Sequence, residues 1–310
     1  MKRFKNILLL AGGEGWKEAA LKQAVILAKN NKAKLKVVEV IEELPREMQI
    51  LITSMHLADL QEVAIAEQSR KLERIIAPIR DEGVQVTAKV LIGTPFLEII
   101  REVLRNRHDL VMKTARGKGG LKEILFGSTA MHLMRKCPCP VWVIKPTHSK
   151  KYARIMAAVD PDPFDEEKNA LNTKIMELAT SLARLEASGF HVVHSWTLYG
   201  KMRLGLSKSE VDRLARETRK MHKSWLAKLL DKHAPEIPNS RIHLLKGNAE
   251  ILIPQIAKRN RIELIVMGTV CRAGIAGFFI GNTAEKILQQ VNCSVLTVKP
   301  DGFITPIKLR

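Results

Sequence analysis

The residues richest in chemistry lie in a glycine-bearing loop. It runs Lys113-Thr114-Ala115-Arg116-Gly117-Lys118-Gly119-Gly120 and resumes at Gly127-Ser128-Thr129, where a helix opens. Glycines let backbone amides approach an anion, and a helix N-terminus offers unpaired N–H groups to it. The hydroxyls of Ser128 and Thr129 add donors, and Arg116, Lys118 and Lys122 add positive charge. The chemistry on offer is phosphate binding. The same residues also have an architectural reading, with glycines making turns and Ser128 capping a helix, and the glycine pattern alone does not choose between the two. No catalytic set stands out. His108, His132 and His194 are scattered without an acidic partner, and no Ser/His/Asp set or carboxylate pair sits at a loop. The expectation is no catalytic residue. No spacing of His and Cys suits a metal ion either.

Such a loop must be held by strands and helices, and the hydrophobic pattern supplies them. In the first half, strands are expected at 5–11, 35–40, 86–92, 110–112 and 141–144. Helices are expected at 16–30, 48–81, 95–106 (Pro95 in its first turn) and 128–136. In the second half, strands fall at 154–159, 191–195, 242–245, 264–267 and 295–298. Its helices fall at 167–187, 207–233, 249–260 and 282–290. Short apolar strands alternating with helices imply an α/β fold with a parallel sheet covered on both faces.

The second half repeats the first. Residues 90–146 align with 244–300 at a constant offset. Gly93 meets Gly247, Arg105-Asn106-Arg107 meets Arg259-Asn260-Arg261, Gly127 meets Gly281, and Cys139 meets Cys293. A domain-sized period means duplication rather than a solenoid. The expected layout is a first domain at 1–146, a short basic linker at 147–152 and a second domain with a C-terminal tail at 153–310.

The stretch ARGKGGLKEILFGSTAMHLMRKCPCPVWVIKP, residues 115–146, resembles the C-terminal signature of universal stress proteins. GNTAEKIL and the ending KPDGFITPI resemble the family's tandem-domain members. The family pattern G-x2-G-x9-G-[ST] reads Thr114-x2-Gly117-x9-Gly127-Ser128 in the first copy. In the second it reads Gly268-x2-Cys271-x9-Gly281-Asn282. The resemblance implies two open five-stranded parallel sheets of order 3-2-1-4-5, related to adenine-nucleotide hydrolases and packed as a pseudo-dimer. It implies a stress-response regulator that binds ATP, with Mg, at the glycine loop of one or both domains, with weak ATP hydrolysis as the most activity foreseen and a slow ATPase as an alternative. An Asp ending the first strand would lie by the nucleoside: Asp160 in the second copy, with Gly12 in its place in the first. Val40 and Ser195 hold the adenine-reading positions. The implied nucleotide set is Val40, Thr114, Gly117, Gly127, Ser128 and Thr129, then Asp160, Ser195, Gly268, Gly281, Asn282 and Thr283. Each copy departs from the pattern: the first lacks the Asp and the first Gly, and the second carries Cys271 for the middle Gly.

Bulk properties set the remaining expectations. A net charge of +19 attracts anions, so nucleic acid or anionic lipid stands as an alternative partner on a nucleotide-free scaffold, alongside an apolar ligand and unidentified protein partners. The stripe Arg213, Arg216, Lys220 and Lys223 on the helix from Ser207 reads as a solvated face. Val211, Leu214, Met221 and Trp225 read as its core side. Trp16, Trp142, Trp196 and Trp225 are expected in the core. Cys139 and Cys293 are expected as buried thiols, and Cys271 beside Arg272 as a neutral loop replacement. The longest apolar runs are far too short to span a bilayer. The basic start before Ile7 is cut short by Gly12-Gly13, so it reads as a first strand and not a signal peptide. Four cysteines without a C-x-x-C pair suit reduced thiols in a cytoplasm. The chain is expected as a monomer or a further homodimer.

Overall fold

The computed structural model describes residues 4–12, 16–43, 57–117, 124–145, 151–198, 207–269 and 281–309. The chain divides into two compact units, Met1–His148 with Thr305–Arg310, and Ser149–Ile304.

The first unit is built on strands β1 (Asn6–Leu10), β2 (Lys34–Ile41), β3 (Val86–Ile92), β4 (Leu110–Thr114) and β5 (Val141–Ile144). They lie in the order β3-β2-β1-β4-β5, all parallel. Ile7, Leu8 and Leu9 of the central strand are fully buried in succession. A strand with helices on both faces has no solvent side, so apolar residues run on instead of alternating. The helices are α1 (Lys22–Asn31), α2 (Leu57–Asp81), α3 (Pro95–Asn106) and α4 (Ser128–Lys136). One turn of π-helix, Lys17–Leu21, leads into α1, with the Leu21 amide donating to the Trp16 carbonyl. After β4, Arg116–Gly117 pairs antiparallel with Ile124–Leu125.

The second unit repeats this plan. Its strands are β6 (Arg154–Ala158), β7 (Gly189–Trp196), β8 (Ile242–Lys246), β9 (Leu264–Gly268) and β10 (Ser294–Val298), in the order β8-β7-β6-β9-β10. Its helices are α5 (Glu166–Glu186), α6 (Lys208–His233), α7 (Ala249–Arg259) and α8 (Asn282–Gln290). Local chemistry starts them where they start. The Asp165 carboxylate accepts from the Lys168 amide at 2.9 Å and caps α5. Ser207 and Glu210 form a reciprocal capping box on α6.

The core side of α6 is rotated from the expected one. Leu226 and Leu230 are buried, whereas Leu214 and Met221 are 39% and 44% exposed. The inward stripe runs through Val211, Ala215, Thr218, His222 and Trp225, none of them exposed. Two polar residues on that stripe disguise it in the hydrophobic pattern. Arg213, Arg216, Lys220 and Lys223 are exposed, as a solvated face requires. Cys137, Cys139 and Cys293 are buried thiols that form no disulfide among the described residues. The hydrogen bond with Cys137, reinforced by burial, pushes the Cys139 thiol well up.

The two units fill one equivalent position with different chemistry. Strand registers match Lys36 of β2 with His191 of β7 and Lys89 of β3 with His243 of β8, and the repeat matches Glu102 with Ile256. In the first unit the fully buried Glu102 carboxylate takes Lys36 at 2.8 Å and Lys89 at 3.0 Å. Burial works against its charge, but the two ammonium groups outweigh that and hold the carboxyl below its ordinary range. The second unit has no carboxylate at residue 256. Two stacked imidazoles stand there instead, His191 Nδ1 lying 3.1 Å from His243 Nε2.

Candidate functional site

In an open parallel sheet the loops beyond the carboxyl ends of the strands form the natural crevice. In the second unit the ends of β6, β7 and β9 meet the starts of α5, α7 and α8 around a cavity of about 540 Å³. All six residues singled out in this half line it: Asp160, Ser195, Gly268, Gly281, Asn282 and Thr283.

Each is placed by its element. Gly268 ends β9, and a Cβ there would stand 2.8 Å from Leu171 Cδ2 and 3.6 Å from Ile175 Cδ1. This glycine therefore serves the close approach of α5 as much as the cavity. Gly281 caps α8 with extended backbone and no side chain, so no side-chain group closes off the first amides of the helix. Asn282 and Thr283 form its first turn. Ser195 lies near the end of β7, where its hydroxyl donates to the Gly247 carbonyl. Asp160 follows β6, and its amide donates to Asn172 Oδ1 at 2.9 Å.

The cavity mouth carries both signs of charge. The Asp160 carboxylate is 3.1 Å from Lys168 Nζ, and Asp162 is 3.5 Å from the same ammonium. Burial alone would lower the Lys168 pKa, but the two carboxylates outweigh it and raise it. Asp160 keeps 60% of its side chain exposed, enough to meet a ligand.

The wall on the α6 side combines imidazole and indole. His194, fully buried on β7, has Nδ1 3.1 Å from the Val159 carbonyl and 3.8 Å from an Asp160 oxygen. Its Nε2 is 2.8 Å from His222 Nδ1. The His222 ring stacks on Trp196 at 5.7 Å and meets Trp225 edge-on at 4.8 Å. His194 is thus not isolated: folding brings it an acid and a second imidazole, each distant in sequence. Trp196 is buried as expected, but Trp196 and Trp225 also line the cavity, which a core assignment missed. His222, Lys168 and Asn172 went unremarked in the sequence because each is a lone polar residue on a helix, the usual look of a solvated face. The other two histidines have local roles. His108 Nδ1 lies 3.3 Å from the Asn6 carbonyl, and His132 stacks on Phe96 at 4.2 Å.

In the first unit the corresponding residues are spread along the same strand ends. Val40 lies near the end of β2, and Thr114 ends β4, buried, its hydroxyl without a partner among the described residues. Gly117 sits in the short antiparallel pair, Gly127 caps α4, and Ser128 and Thr129 begin it. Residues 118–123 lie outside the described residues, as do Gly13, Cys271 and Arg272. A cleft of about 360 Å³ in this unit is lined instead by residues such as Trp16, Glu39, Lys71 and Arg74, and by none of those six. Among the described residues no cluster of three or more His, Cys, Asp or Glu is placed to hold a metal ion. None of the described helices is long and apolar enough to cross a membrane.

Comparison with known proteins agrees with this architecture. The family model described as the universal stress protein family matches residues 3–145 and again 151–299. The chain is 28% identical over 311 aligned residues to universal stress protein E of Escherichia coli strain K12, covering 100% of this chain and 98% of that protein. Among solved structures, a protein of unknown function from Pseudomonas aeruginosa PAO1 superposes with TM-score 0.73 at 24% identity, covering 97% of this chain and 94% of the other. A universal stress protein from Archaeoglobus fulgidus superposes with TM-score 0.62 at 16% identity, covering 95% and 98%.

Proposed function

The chain belongs to the universal stress protein family, and from that premise we propose that its second unit binds an adenine nucleotide, ATP with Mg, as a stress-responsive regulatory module. The carrying observation is that Asp160, Ser195, Gly268, Gly281, Asn282 and Thr283, which lie far apart in the chain, line one cavity. The side-chain-free cap at Gly281 leaves the first α8 amides to meet phosphate oxygens. Asp160 supplies an acceptor for nucleoside hydroxyls, and the backbone beyond Ser195 supplies edge contacts for the base. Two buried donors lining the cavity, Asn172 Nδ2 and Trp196 Nε1, have no partner among the described residues. Buried donors seek acceptors, which a nucleotide has in number.

Regulation follows if nucleotide affinity differs between two conformations of the loops it touches, since a ligand shifts an equilibrium only by that difference. The first unit has Gly12 where the second has Asp160, so it contributes scaffold before ligand. The test is calorimetric titration with Mg-ATP of the whole protein and of Gly281→Val. Residue 281 has φ −62 and ψ 143, a conformation that valine adopts without strain. The substitution thus meets no backbone strain, circular dichroism confirms that the variant is folded before titration, and the branched side chain stands against the α8 amides. ATP binding to the wild type with at least tenfold loss in the variant supports the reading. No binding at millimolar ATP, or equal binding by both, removes it.

A further inference from the structure

The α6-side wall of the second-unit cavity is ordered by a hydrogen-bond chain whose direction is forced. The Val159 carbonyl can only accept, so His194 Nδ1, 3.1 Å away, carries the proton. In a neutral His194 the other nitrogen, Nε2, is then an acceptor. His222 Nδ1, 2.8 Å from it, must donate. That leaves His222 Nε2 as a lone pair with no partner among the described residues, on a ring that lines the cavity. Burial keeps both imidazoles below their ordinary pKa, which preserves the neutral chain. The charged groups facing His222 from other elements are Asp160 and Asp162 after β6 and Lys168 of α5. The carboxylates favour its proton, and the lysine opposes it.

The surroundings limit what can reach that lone pair. Trp196 of β7 lies nearly parallel to the His222 ring at 18°, and Trp225, one turn along α6, stands at 65° to it. Trp196 is only 4% exposed and Asn172 only 3%, and each has an N–H donor in the same lining with no partner among the described residues. The wall therefore offers flat apolar surface, one acceptor and two unsatisfied donors. Among the described residues the first unit lacks this arrangement. Strand registers put Glu39 in the place of His194 and Ile41 in that of Trp196.

We propose that His222 Nε2 is the acceptor by which this cavity selects a planar ring bearing an amine N–H donor, with Trp196 and Trp225 fixing the plane of that ring. The proposal rests on the adenine-nucleotide reading and names the side chains that read the base. Trp196 Nε1 and Asn172 Nδ2 complement it by donating to ring nitrogens or hydroxyl oxygens. Protonation of His222 would turn its acceptor into a donor, so selection for the amine weakens in acid.

The test compares ATP with purine riboside triphosphate, which lacks the exocyclic amine, on the wild type and on His222→Phe, which keeps a flat ring and loses the acceptor. One neutral hydrogen bond corresponds to roughly a tenfold preference. The wild type should prefer ATP by about that factor, and His222→Phe should bind the two nucleotides alike. Undiminished preference in His222→Phe, or no preference in a wild type that binds ATP, overturns the proposal while leaving the adenine reading standing. A wild type that binds neither nucleotide overturns both. Should His222→Phe fail to fold, the wild type decides: the 15N resonance of His222 Nε2 should shift when ATP binds and stay in place when purine riboside triphosphate binds, and an equal response to both refutes the role of His222.

Discussion

Acid should destabilise the second unit through one pair of side chains, His191 and His243. Burial, with the neighbouring His243, Arg241 and Arg154, drives the His191 pKa from 6.5 to about 4. His243 is lowered too, by burial and by Arg259. At pH 7 both rings are mostly neutral in the folded and unfolded chains, so little is lost there. As pH falls below 6.5 the unfolded chain takes up a proton that folded His191 refuses until about pH 4, and stability declines across that window. At about 1.4 kcal/mol per pH unit the full loss is about 3 kcal/mol, of which about 2.5 is reached by pH 4.5. Other groups titrate in the same range, so the quantity to measure is the stability difference between the wild type and His191→Leu, from denaturant unfolding at pH 7 and pH 4.5. That difference should move by about 2.5 kcal/mol in favour of the variant in acid. A second variant probes the cause. Ile256→Glu restores a carboxylate at the position of Glu102 and should raise the His191 pKa, followed by NMR titration of the ring protons. A difference independent of pH, or a His191 that titrates near 6.5 in the wild type, would refute the reasoning.

Other perturbations separate packing from ligand chemistry. Asp165→Ala removes the acceptor that caps α5 and should cost about 1 kcal/mol in thermal or denaturant unfolding; no loss would mean that solvent caps the helix equally well. Gly268→Ala pushes on Leu171 Cδ2, the movable end of a side chain, so about 1 kcal/mol of stability should go while the fold is kept. An alanine tolerated without any loss would show that α5 stands further from β9 than described. If the basic surface binds nucleic acid, affinity for a short RNA should fall steeply with salt, and charge reversal at Arg216 and Lys220 should flatten the slope. Binding insensitive to salt would rule out that use of the stripe.

Much of this was legible in the sequence, for physical reasons that differ by element. β3, α3, α4, β5 and α8 begin and end where the pattern puts them, because Pro95 or a glycine before the first turn marks the start and the apolar run marks the extent. The parallel sheet order followed from the resemblance and from strands too continuously apolar to have a wet face. The inward side of α6 was misread because Thr218 and His222 occupy it, and amphipathic reasoning counts both as outward residues. The His194–His222 chain could not be read at all. It joins a strand to a helix across 28 residues, and no spacing rule links positions that only the packing of α6 on β7 brings together. Of the replacement of Lys36, Lys89 and Glu102 by His191, His243 and Ile256, only the change at Glu102 falls inside the repeat alignment. It gains meaning only when strand register shows that the three positions form one cluster.

The most direct test of the central claim is photolabelling of the intact protein with 8-azido-ATP, followed by mapping of the modified peptides. The account predicts labelling, competed away by ATP, on second-unit peptides that carry cavity residues such as Asp160, Trp196 or Trp225. Labelling confined to the first unit, or labelling that ATP does not displace, would contradict it.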